Sequence, residues 1–95
     1  MADPIVLPWA IRISRAESSE VLDRLMDDWY AGMKADWGLR TTVGFDSNME
    51  RRDWDGAKRS IERTHGRSSR DHELTLDTLA AAIQCRRILT HRLVG

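Results

Sequence analysis

The strongest periodicity lies in the first third of the chain, where Leu22, Met26, Trp29, Met33 and Trp37 succeed one another at intervals of four, three, four and four. Val21 and Leu25 widen the same stripe. Apolar residues at this spacing lie on one side of a helix and must be covered. Ser14-Arg15-Ala16-Glu17 has the S-x-x-E form of a capping box, and Gly38 suits a helix stop, so the pattern predicts a helix between them. On its outer side Glu20, Arg24 and Asp28 stand four residues apart. Exposed pairs of this kind contribute about 0.2–0.5 kcal/mol each.

Two other stretches alternate with a period of two. Leu7, Trp9, Ile11 and Ile13 oppose Pro8, Ala10, Arg12 and Ser14, and Leu39, Thr41, Val43 and Phe45 oppose Arg40, Thr42, Gly44 and Asp46. Such alternation predicts half-buried strands, the first at a sheet edge because Pro8 has no N–H to donate. The helix between them would form a crossover, right-handed if the strands pair in parallel.

The second half reads as two helices. Ser47-Asn48-Met49-Glu50 repeats the capping box, with Met49, Trp54, Ala57 and Ile61 facing inward and Gly66 ending the segment. Gly56 inside it costs about 1 kcal/mol relative to Ala, so the helix is expected to bend or to begin only at Asp53. After the turn Gly66-Arg67-Ser68-Ser69, a last helix is expected from about Arg70 to Leu93. Its apolar residues Leu74, Leu76, Leu79, Ile83, Ile88 and Leu89 cover much of its girth, which predicts a central position. The expected fold is therefore α+β and mainly helical: strands at about 7–13 and 39–45 flank a first helix, two further helices follow, and residues 1–95 form one domain.

Composition narrows the class. Ninety-five residues suffice for one domain, and 15 basic side chains balance 15 acidic ones. Residues 1–39 hold four basic and seven acidic groups and the remainder eleven and eight, so the halves carry opposite signs. No apolar run approaches the about 20 residues a membrane-spanning helix needs. The start Met-Ala-Asp-Pro lacks the basic and apolar regions of a secretory leader, and the single cysteine cannot close an internal disulfide, so a cytoplasmic location is expected.

Groups able to do chemistry do not converge. His65, His72, Cys85 and His91 are scattered without the local pairs of a metal site. Cys85 lies mid-helix, Ser68 and Ser69 read as caps, and Asp27-Asp28 and Asp53-x-Asp55 diverge on a helix. No glycine-rich phosphate loop is present, so neither enzymatic activity nor a cofactor is expected.

Two features point instead to binding. Four tryptophans in so short a chain exceed what its core is expected to shelter, and Trp is enriched where one protein anchors in another. Trp29, Trp37 and Trp54, on apolar helix faces, are the candidate anchors. Basic residues concentrate between 51 and 70, and there Arg52, Arg59 and Arg63, spaced seven and four, fall on one helical face. They are candidates for partner contact, although Glu50, Asp53, Asp55 and Glu62 interleave with them.

The stretch Arg40-Thr41-Thr42-Val43-Gly44-Phe45-Asp46, a helix, the turn at 66–69 and another helix resembles the ribbon-helix-helix DNA-binding family over about half the chain. That resemblance implies an intertwined dimer whose Arg40 and Thr42 enter the major groove. Gly44 departs from the pattern, as does the late arrival of Leu74, Leu76 and Leu79. Trp54-Asp55-Gly56 is similar to the W-x-G turn of small secreted helical-hairpin proteins over those three residues alone, without their C-terminal aromatic signal. Membership of neither family is claimed.

The leading expectation is thus a small non-catalytic protein-binding module. It would be an inhibitor or adaptor of the kind carried by phages and mobile elements, occupying a larger protein or self-associating. The alternative is a dimeric DNA-binding regulator using the Arg40/Thr42 strand and the arginines of 51–70.

Overall fold

A computed structural model describes residues 8–36, 43–64 and 70–94. They form five helices: α1 (Trp9–Ser14), α2 (Ser19–Asp36), α3 (Val43–Glu50), α4 (Trp54–Thr64) and α5 (Arg70–Val94). No strand occurs among the described residues. The α+β expectation is therefore corrected to a fold that is all helical over the described residues.

Both strand expectations fail for the same reason. A short alternating window also contains residues four apart, which a helix brings to one side. In the first window Pro8 immediately precedes α1, where its missing N–H costs nothing, and its carbonyl accepts from the N–H groups of Ile11 and Arg12 at 3.0 and 3.1 Å. Ile13 is fully buried and Trp9, one turn earlier, packs against the core, while Ile11 between them is 41% exposed. A strand would have put all three on one side. In the second window Val43–Phe45 open α3, and Phe45 shares a buried side with Met49 one turn on. Residues 39–42, including Arg40 and Thr42, lie outside the described residues.

The other elements form for reasons visible in their residues. Leu22, Met26, Trp29 and Met33 of α2 are each about 1% exposed. The helix starts later than expected: Ser18 supplies the cap, its Oγ accepting from the Val21 N–H at 3.2 Å. Ser14 ends α1 instead and donates its hydroxyl to the Ile11 carbonyl. The apolar girth of α5 places it centrally, packed against α1, α2 and α4, with Leu76, Leu79, Ala82 and Leu89 buried. Ile88 on its other side is 44% exposed.

The second helix of the sequence reading is two helices. Met49, Trp54, Ala57 and Ile61 are all buried, but the chain turns between Met49 and Trp54. Arg52 has φ 55°, the left-handed conformation that reverses a helix end. Its N–H donates to the Met49 carbonyl at 3.0 Å and the Asp53 N–H to the Asn48 carbonyl at 2.8 Å, which satisfies carbonyls at the end of α3. Asp53 then caps α4, its Oδ1 accepting from the Gly56 N–H at 3.0 Å. Gly56 is needed there, because a Cβ would stand 2.6 Å from Asp53 Oδ2 and 2.9 Å from the carboxamide of Asn48.

Candidate functional site

The buried stripe Trp54, Ala57 and Ile61 fixes which side of α4 meets solvent. Asp55, Arg59, Glu62 and Arg63 are exposed, and Lys58 and Ser60 are half-buried at the edges. Lys58 Nζ lies 2.9 Å from Glu62 Oε1, an i,i+4 pair that occupies the acidic group between Arg59 and Arg63 and leaves Asp55 at the start of the helix. Arg59 and Arg63, one turn apart, have no carboxylate partner among the described residues. They border a polar cleft of about 320 Å³ between α3 and α4, together with Asn48, Asp53, Gly56 and Ser60. Two guanidinium groups beside the Asn48 amide can bind the oxygens of a phosphate or carboxylate, where the planar fork of Arg bonds two oxygens at once, while the Asp53 carboxylate of the cleft is held by the Gly56 N–H.

The turn at 51–53 separates Arg52 from the other two arginines. Its Nη2 donates to Asp27 Oδ2 of α2 at 2.8 Å, and its Nε lies 3.9 Å from Asp23 Oδ1. The hydrogen bond and charge of Asp27, then the charge of Asp23, raise the Arg52 pKa further and keep it ionised. Its carbonyl accepts from Arg86 Nη1 at 2.8 Å. Arg52 thus ties the α3–α4 turn to α2 and α5, while Arg59 and Arg63 face solvent.

The tryptophans divide in another way. Trp29 and Trp54 are each about 1% exposed, and their indole N–H groups have no hydrogen-bond partner among the described residues. Neither indole reaches the surface of this conformation as an anchor. Trp9 is half-buried, with the Arg12 guanidinium 4.0 Å from its ring. Trp37 lies outside the described residues.

Sequence reasoning missed Asn48, Ser60 and Arg86. In the sequence Asn48 is only the interior of a capping box, yet its Oδ1 accepts from Arg51 Nη2 at 2.7 Å and its side chain borders the cleft. Ser60 sits one position from Arg59, and only the α3 neighbour makes that adjacency a cleft wall. Arg86, near the carboxyl end of α5, carries no sequence signal of the role it has: it stacks on Trp54.

Cys85 and Tyr30 are used internally. Burial pushes the Cys85 thiol above its ordinary pKa, and its Sγ faces the Ala16 carbonyl at 3.8 Å. The Tyr30 hydroxyl donates to Asp46 Oδ1 and so links α2 to α3. Among the described residues no group of three or more His, Cys, Asp or Glu is arranged to hold a metal ion, and no helix is long and apolar enough to cross a membrane. Comparison with protein-family models, with curated proteins and with solved structures found no match to this chain.

Proposed function

We propose that the chain is a small non-catalytic binding module that occupies an anionic surface of a larger partner through Arg59 and Arg63. The observation that carries this reading is their arrangement: two exposed guanidiniums on consecutive turns of one helix, beside a polar cleft, with the neighbouring acid already held by Lys58. Trp29 and Trp54 are enclosed, so this reading rests on charge and not on aromatic anchors. The non-catalytic part is supported by Cys85, which is buried against a carbonyl and has its thiolate disfavoured, the opposite of an activated nucleophile.

Retention on immobilised heparin tests the reading. Wild-type protein is expected to elute at clearly higher salt than the Arg59→Gln/Arg63→Gln variant. The charge-matched Arg15→Gln/Arg24→Gln variant, altered at two exposed arginines of the α1–α2 region, should elute near wild type. Equal loss in both variants would mean that only overall charge matters and would overturn the reading.

A further inference from the structure

We infer that α3, its turn and α4 act as a helix–turn–helix unit that lays the Arg59–Arg63 side of α4 along the sugar–phosphate backbone of duplex DNA. The inference rests on the binding reading above and names its partner. Three observations favour a nucleic acid over an acidic protein.

The first is rigidity. Two helices joined by three residues are the form of a helix–turn–helix, and here the connection is held by the left-handed Arg52, the Arg52 and Asp53 N–H bonds to α3 carbonyls, and the Asp53 cap. Arg52 further braces the turn against Asp27 and, through its carbonyl, against Arg86. A face presented this firmly loses little entropy on docking.

The second is composition. Protein interfaces are built round aromatic or aliphatic anchors with a polar rim. The outward side of α4 has no exposed large apolar residue. The exposed Ile11, Val21 and Ile88 lie on α1, α2 and α5. Two guanidiniums beside the Asn48 amide suit phosphate oxygens, and the Asp53 carboxylate that also lines the cleft is engaged by the Gly56 N–H.

The third is spacing. Arg59 and Arg63 are four residues apart, about 6 Å along the axis of α4. A DNA strand presents one phosphate per about 3.4 Å of duplex axis, so side chains of this length reach successive phosphates. The acids fix the end of α4 that makes contact. Asp53 and Asp55 lie at its start and Glu62, in its later turns, is paired with Lys58, so the phosphates meet those later turns, and the contact positions the protein without reading bases.

The test uses the full chain, a labelled mixed-sequence duplex and polyglutamate as the competing acidic polymer, with binding followed by anisotropy across a salt series. Expected is duplex binding that weakens steeply with salt. Each phosphate contact contributes about 0.9 to the slope of log affinity against log salt, so the Arg59→Gln/Arg63→Gln variant should lose about 1.8 from that slope. At about 0.1 M salt it should bind roughly tenfold more weakly per arginine removed. Circular dichroism matching wild type keeps a folding defect out of the comparison, and the Arg15→Gln/Arg24→Gln variant should retain the wild-type slope. Polyglutamate binding that depends on Arg59 and Arg63, without such dependence for duplex, would overturn the DNA inference and leave the anionic-partner reading standing. Dependence on these arginines for neither polymer would overturn both.

Discussion

The Arg86 guanidinium of α5 lies 3.4 Å from the centroid of the Trp54 ring, the first residue of α4, while its Nη1 holds the Arg52 carbonyl. One side chain therefore covers the enclosed indole and fixes the turn before it. Burial lowers the Arg86 pKa and opposes its charge, and Asp23, Asp55 and Asp53 counter only part of that effect. A desolvated cation–π contact contributes up to about 2 kcal/mol, and a charged hydrogen bond about 1.5–3 kcal/mol. Arg86→Ala should lower the stability of the folded state by about 2–3 kcal/mol, read as a shift in urea midpoint. Arg86→Lys should recover less than half, because an ammonium cannot lie flat on the ring and reach the carbonyl together. A lysine variant as stable as wild type would show that charge alone suffices.

Arg52 separates backbone strain from side-chain pairing. Its φ of 55° is disfavoured for any residue with a Cβ, while its pairs with Asp27 and Asp23 involve side chains that are 37–55% exposed. Exposed pairs rarely exceed about 1 kcal/mol. Arg52→Ala loses the pairs and keeps the strain. Arg52→Gly loses the pairs and relieves it, so the glycine variant should be more stable than the alanine variant by about 1 kcal/mol in chemical denaturation. Equal stabilities would place the backbone outside the left-handed region.

Two helical glycines should respond oppositely to the same substitution. Gly32, within α2, has nothing within 4 Å of where a Cβ would stand. Gly32→Ala should therefore stabilise by up to about 1 kcal/mol through helix propensity. At Gly56 the same gain is opposed, because the new methyl displaces the Asp53 carboxylate that caps α4 and the Asn48 carboxamide that holds Arg51. Loss of a cap costs about 0.5–2 kcal/mol, so Gly56→Ala should be destabilising overall. Thermal unfolding of the two variants in parallel checks the contrast.

The inward residues of the helices were legible because their stripes are long. Leu22, Met26, Trp29 and Met33, and likewise Met49, Trp54, Ala57 and Ile61, are the buried positions their spacing predicts. Short windows were not legible. Across seven residues Trp9, Ile11 and Ile13 satisfy a period of two, and only the burial of Ile13 with exposure of Ile11 reveals a helix. The capping box at Ser14 misled because Ser18, four residues later, has the same chemistry and is the actual cap. At the site, Arg59 and Arg63 were found together because they share one uninterrupted helix. Arg52 was misplaced because the chain reverses at an arginine, with no glycine to mark the left-handed position. A tryptophan count, finally, says nothing of which indoles are enclosed; that depends on covers such as Arg86, thirty-two residues away in sequence from Trp54.

Tyr30 and Asp46 join α2 to α3, and the surroundings of the phenol make stability depend on alkaline pH. Burial, first, then the hydrogen bond to Asp46 and the charges of Asp46 and Glu50, raise the Tyr30 pKa above its ordinary 10.0 in the folded chain. Below that value both states keep the phenolic proton and the contribution is fully present. Above about pH 10 the unfolded chain releases the proton while the folded chain retains it. The folded state then binds more protons, so stability falls as pH rises. Tyr30→Phe removes this titration and one hydrogen bond. It should be less stable than wild type by about 1 kcal/mol near neutral pH. Its deficit should shrink as pH climbs past about 10, because wild type alone loses this contribution there. Urea unfolding of both proteins from neutral to alkaline pH is the measurement, and curves that stay parallel throughout would show that the phenol titrates alike in the folded and unfolded chains.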